Sequence, residues 1–181
     1  MNMNFDVNQV FQNRLAASLG LDKYQYIMDR VKKTDVSKDS DFQKSFNGFY
    51  LIRRNEAWRN IYYEYFERVK SEIPTFSNII TYLYENIEPS FSSKMLASIF
   101  PEKPIWDRYV VQNLNLKLEG ATKQEKLENA IALYADIEVF YADFLKTDKA
   151  SECIRVFDRV LPNYKWISAV KKIDCILWSI R

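Results

Sequence analysis

"PSFSSKMLASIFPEKPIWDRYVVQNL", residues 89–114, reads as helix, break, helix. Pro89 suits the first turn of a helix, where its missing N–H would have no partner in any case. The run "SSKMLASIF" extends that helix until Pro101 and Pro104 stop it. The dipeptide "IW" then leads to Asp107, an acid at the mouth of the next helix, where the helix dipole favours negative charge. Asp107 stands directly behind Trp106, with Arg108 and Tyr109 following. Two readings are open: a plain helix start, or a catalytic carboxylate at the lip of a pocket.

The same 3.6-residue rhythm runs through nearly the whole chain. Phe76, Ile79, Ile80, Leu83 and Tyr84 fall at i, i+3, i+4, i+7 and i+8, one buried stripe of a helix. Leu127, Ala130, Ile131, Tyr134, Ile137, Tyr141 and Phe144 do the same over a longer helix, which opens with Thr122 and Glu125 at capping-box spacing. Gly20, the segment "TDVSKDS" and Pro74, Pro89, Pro101, Pro104 and Pro162 mark the breaks. This predicts about nine helices and no alternating strand. The fold class expected is all-α, a two-lobed helical bundle forming one globular domain over 1–181, with a cleft near 50–58 and 90–110.

Composition narrows the chemistry. A chain of 181 residues that is 48% hydrophobic and 28% charged folds without staples, since at this size roughly 70% of the unfolded surface can be buried. The longest apolar run, "AIALYA" at 130–135, is far short of the ~18 residues that span a bilayer. The start carries no basic region followed by an apolar one, so a cytoplasmic location and no membrane partner are expected. Cys153 and Cys175 lack metal-ligand spacing, and no metal or cofactor is expected. There is no histidine, which removes Ser-His-Asp and Cys-His catalysis together. Gly20, Gly48 and Gly120 stand singly, so there is no glycine-rich phosphate loop. Any enzyme built from this chain works with carboxylates, lysine, tyrosine or serine. Net charge is +2, with basic residues gathered at Lys32–Lys33, at Arg53, Arg54 and Arg59, and at Lys171–Lys172.

The 89–114 stretch resembles the second half of the signature of helix-hairpin-helix DNA glycosylases, in which a small-residue helix ends in an apolar turn and an apolar-apolar-aspartate step opens the next helix. Here these are "SSKMLASIF" and "IWD"; Val110 matches the family pattern, while Tyr109 and Gln112 depart from it. "LIRRNEAWRNIYYEYFE", residues 51–67, looks like the family's early helix, with Trp58 at its tryptophan and Arg53, Arg54 and Asn55 in place of a glutamine-centred turn. The glycine hairpin that binds DNA phosphate is missing: this chain reads "ENIEPSFSS" there.

The resemblance implies a monofunctional DNA glycosylase, a hydrolase that removes a damaged or modified base by base excision after base flipping. It implies Asp107 as the catalytic carboxylate, stabilising the oxocarbenium-like sugar and orienting water. The expected base pocket is Trp58, Trp106, Tyr109 and Tyr50, aromatic faces on which a flipped base can stack. Expected DNA contacts are Arg53 and Arg54, then Ser92, Ser93 and Lys94 at a helix N-terminus, and Lys171 and Lys172 near the C-terminus. Bulky modified bases of phage genomes are one substrate version, with phage defence as the setting. The alternative is a non-catalytic helical module that retains the glycosylase fold and binds DNA or a protein. An Asp107 that lines a cleft with a basic rim favours the enzyme; one that only caps its helix on a convex surface favours the module.

Overall fold

The computed structural model describes residues 5–12, 20–85 and 87–180. Among them are ten α-helices, one short 3₁₀ turn and no strand. In chain order these are α1 (Val7–Gln12), α2 (Leu21–Arg30), α3 (Ser40–Tyr50), α4 (Glu56–Val69) and α5 (Phe76–Tyr82). They continue as α6 (Pro89–Ile99), α7 (Arg108–Asn113), α8 (Lys123–Phe144), α9 (Asp148–Val160) and α10 (Ala169–Ser179). The all-α expectation holds, with one helix more than the periodicity suggested. No helix among the described residues is long and apolar enough to cross a membrane.

Local sequence explains where the helices begin. Asp39, Asn55, Thr75, Thr122, Thr147 and Ser168 each accept a hydrogen bond from a backbone N–H of the first turn that follows, satisfying donors that have no partner inside the helix. Thr122 and Glu125 form the reciprocal capping box that their spacing predicts. Pro89 sits in the first turn of α6, and Pro101 and Pro104 lie in the connection to α7. Gly20, with φ of 64°, stands immediately before α2; residues 13–19, where the break at Gly20 places the end of the first helix in the sequence, lie outside the described residues.

The buried apolar side chains form one large cluster and one small one. The large cluster runs through Phe46, Tyr62, Phe66, Ile80, Met95, Tyr134 and Ile137, with Phe46 against Tyr50 at 4.7 Å between ring centroids. The small cluster joins Leu21 and Tyr24 of α2 to Phe157 of α9, to Leu161 just past its end and to Cys175 of α10. Phe49 packs against both. Polar ties hold the periphery. Glu67 accepts the Val36 N–H at 2.7 Å and pairs with Lys70 at 2.7 Å, fixing α4 to the turn between α2 and α3.

Helix α6 is buried on all sides: every residue from Ser92 to Ile99 is buried. Its serines avoid unpaired hydroxyls by bonding back along the helix, Ser92 Oγ to the Glu88 carbonyl at 2.9 Å and Ser98 Oγ to the Lys94 carbonyl at 2.8 Å.

Helix α3 ends in a left-handed residue, Leu51, with φ of 55°, and the Ile52 N–H closes back to the Asn47 carbonyl at 3.0 Å. That motif normally takes glycine. A left-handed L-residue costs about 1–2 kcal/mol and glycine's extra unfolded-state entropy about 0.5–1, so strain wins by a small margin. Leu51 is 57% exposed, so little packing is lost on its removal. Leu51→Gly is expected to raise stability by about 0.5 kcal/mol, read as a higher urea midpoint; a lower midpoint would show that Leu51 packs more than it strains.

Candidate functional site

A cavity of about 480 Å³ opens where the two apolar clusters meet. The end of α3 supplies Phe49, Tyr50 and Leu51; α6 supplies Lys94; the lead into α7 supplies Ile105 and Asp107. Helix α10 supplies Lys171, Asp174, Cys175 and Trp178, a single stripe at i, i+3, i+4 and i+7. Gly20, just ahead of α2, and the exposed Lys23 of α2 border it as well.

The segment carrying Asp107 is fixed from three sides. Ser168 Oγ donates to the Pro101 carbonyl at 2.5 Å, and Tyr134 Oη on α8 donates to the Pro104 carbonyl at 2.8 Å. Ser93 Oγ accepts the Trp106 N–H at 2.8 Å. Asp107 itself caps α7, one carboxylate oxygen accepting the Tyr109 N–H at 2.9 Å. It is half-buried and borders the cavity as well, so the two roles weighed for it coexist: one oxygen holds the helix while the carboxylate faces the cavity space.

Besides the exposed Lys23, four charged groups share this small volume: Lys94, Asp107, Lys171 and Asp174. Lys94 Nζ donates to the Tyr50 carbonyl at 3.0 Å, serving the C-terminus of α3 where the dipole favours a cation. Burial nevertheless pulls the Lys94 amine down to about 8, against the opposing pull of the Asp107 charge. Lys171 goes the other way: burial works against its charge, but Tyr50, Cys175, Asp174 and Asp107 outweigh it and the amine stands above its ordinary value. Its Nζ lies 5.2–5.7 Å from the ring centroids of Tyr24, Phe49 and Tyr50. Asp174, 6% exposed, is pushed up to about 6 by burial, opposed by Lys171 and by the Tyr141 hydroxyl that bonds its Oδ1, with the Asp107 charge adding to the rise. Burial also pushes the Cys175 thiol up to about 11, which keeps it protonated and a poor nucleophile at neutral pH.

Of the residues singled out in the sequence, Asp107, Tyr50, Lys94 and Lys171 meet at this cavity. Trp58 and Trp106 do not border it. Trp58 stacks on Tyr62 at 5.1 Å, with the Arg54 guanidinium 5.7 Å from its ring. Trp106 is buried parallel to Phe76 at 6.4 Å. Tyr109 sits one ring away, its edge-to-face partner being Trp178 at 6.5 Å. Arg54 pairs with Glu88, and Arg53 is exposed beside it. Ser92 and Ser93 are wholly buried with their hydroxyls engaged, so neither presents a group to a backbone phosphate in this arrangement. Lys172 is buried away from the cavity, paired with Asp158 at 2.7 Å and donating to the Lys165 carbonyl at 2.9 Å. Asp158 thus pairs across to α10.

Phe49, Asp174, Cys175 and Trp178 complete the wall without having been assigned to it; the α10 stripe was the signal that could have grouped the last three. Among the described residues no group of three or more His, Cys, Asp or Glu gathers as a metal site. No protein-family model, curated protein or solved structure matches the chain.

Two outcomes follow from this geometry. Between the unfolded carboxyl value near 4 and about 6, native Asp174 holds a proton that the unfolded chain has released. Its contribution therefore falls as pH rises through that window and is flat above it. Relative to wild type, Asp174→Asn gains on the order of 2–3 kcal/mol between pH 4 and pH 7 in urea unfolding; a pH-independent difference between the two would refute the raised value. Ser93→Ala leaves the buried Trp106 N–H without its acceptor and is expected to cost about 1–3 kcal/mol; a neutral result in the same assay would mean another acceptor takes over.

Proposed function

We propose that the protein is a monofunctional DNA N-glycosylase, hydrolysing the N-glycosidic bond of a damaged or modified base that leaves the duplex and enters the cavity, with modified phage DNA as one substrate. The observation that carries this reading is Asp107 bordering a cavity of about 480 Å³ that is also lined by Phe49, Tyr50 and Trp178 and by Lys94 and Lys171. Its volume falls in the range of about 300–1,000 Å³ common for small-ligand sites. In the reaction the C1′–N bond breaks and its electron pair leaves with the base. The Asp107 carboxylate stabilises the positive sugar and takes a proton from the water whose oxygen adds to C1′. Lys94 and Lys171, at the wall, hold cationic charge beside the backbone of the extruded nucleotide, and Lys23 extends it outward; Arg53 and Arg54, outside the cavity lining, would meet the DNA elsewhere.

A second reading has one specific support. Asp107 already spends an oxygen on capping α7, as it would in a non-catalytic helical module that binds DNA or a protein.

Base release decides between them. DNA carrying uracil, alkylated, oxidised, hydroxymethylated or glucosylated bases is offered to wild type and to Asp107→Asn. The enzyme reading expects release from at least one substrate, reduced about 10²-fold or more in the variant. Borohydride is expected to trap no covalent DNA adduct, in keeping with water as nucleophile; an adduct at Lys94 would overturn the monofunctional mechanism. DNA binding without release would establish the module.

A further inference from the structure

We propose that the cavity holds an oxyanion on the ammonium of Lys171, so that its ligand is a compact molecule carrying a phosphate or carboxylate beside an aromatic ring. The inference stands whether or not the cavity cleaves a glycosidic bond. Three lysines are buried among the described residues: Lys94, Lys171 and Lys172. Lys94 Nζ donates to the Tyr50 carbonyl and Lys172 Nζ to the Lys165 carbonyl. Lys171 Nζ has no hydrogen-bond acceptor among the described residues, and its nearest carboxylate oxygen, on Asp174, stands at 4.0 Å, outside hydrogen-bond reach. Its side chain is only 10% exposed, yet the nitrogen is not sealed in. Asp174 Oδ2 is both unpaired and fully enclosed, whereas Lys171 Nζ keeps accessible surface, and the space its residue borders is the cavity.

The helix gives no reason for a cation at this position. Lys171 lies in the first turn of α10, just past the Ser168 cap, where the dipole favours negative charge. The rings of Tyr24, Phe49 and Tyr50, together with Asp174 and Asp107, keep the amine charged without accepting its N–H groups. The wall as a whole is richer in open donors than in open acceptors. Asp107 spends one oxygen on the Tyr109 N–H, and Asp174 has Oδ1 on the Tyr141 hydroxyl and Oδ2 enclosed. Lys94 and Lys171 also act on each other, the Lys171 charge being one cause of the lowered Lys94 value. An oxyanion between them offsets that repulsion and supplies the acceptor that Lys171 lacks. Phe49, Tyr50 and Trp178 line the same cavity and suit the aromatic part of such a ligand.

The test compares pairs of probes that keep a ring and differ in the oxyanion. Dissociation constants are measured by calorimetry at pH 7 and low salt for thymidine 5′-monophosphate against thymidine, and for benzoate against benzyl alcohol. Wild type is expected to bind the oxyanion member of at least one pair about 10-fold or more tightly, the step expected of a charged hydrogen bond. A preference in the first pair identifies a phosphate ligand, and one in the second pair alone a carboxylate. Lys171→Met keeps the apolar stem, removes the ammonium and is expected to abolish the preference. Equal affinities within both wild-type pairs, no binding by any of the four, or a preference kept in a folded Lys171→Met would overturn the proposal. If that variant does not fold, the wild-type pairs decide alone. Base release tests the glycosylase reading separately, so either can fail without the other.

Discussion

Helix α6 has no solvent face from Ser92 to Ile99, and each polar group it carries must be satisfied inside the protein. The partners it finds are the parts of the chain that build the cavity. Lys94 takes the Tyr50 carbonyl at the end of α3, and Ser98 Oγ reaches the Tyr50 hydroxyl at 3.3 Å. Ser93 takes the Trp106 N–H just ahead of Asp107. A helix that packed only apolar side chains there would bury as much surface but would leave α3 and the α7 entrance without a common register. The requirement to pair buried polar groups thus fixes two segments that lie far apart in sequence against one another.

The lysines show what such pairing costs. At Lys94 an ammonium with 9% exposure donates to the Tyr50 carbonyl, and its burial lowers its affinity for a proton. Lys171 is as deeply buried yet holds its proton, because acidic and aromatic groups surround it. Two lysines on one cavity wall therefore differ in electrostatic character because of their neighbours, not because of their depth.

Much of the helical pattern was legible in the sequence. The stripe from Leu127 to Phe144, the capping box of Thr122 and Glu125 and the proline junctions follow from local rules that the structure obeys. The cavity was legible only in part, for geometric reasons. Trp106 and Asp107 are consecutive residues of a non-helical approach, where neighbouring side chains point to opposite sides; with Asp107 at the cavity, the tryptophan falls into the core against Phe76. Trp58 is held by Tyr62 and Phe91 on the far side of the same aromatic layer. Ser92 and Ser93 have the sequence of an exposed helix start, but nothing local reveals that their helix is enclosed all round. The α10 stripe carries both charge and apolar bulk, so its spacing announces a face without saying what that face meets.

The longest helix sets a dimension. Tyr134 and Tyr141 lie seven residues apart on α8, about two turns or 10.5 Å along its axis. One hydroxyl grips the Pro104 carbonyl ahead of Asp107 and the other grips Asp174. The two carboxylates are therefore hung from a common rod, and their separation is a property of that rod more than of the loops around it. A protein built this way cannot widen the gap between its acids to suit a larger guest. Accommodation has to come from the opposite wall, where α3 ends in the exposed Leu51 and the Lys23 side chain is free to swing. Divergence in what the cavity accepts is then expected to accumulate at that rim, while the spacing of the acids stays constant.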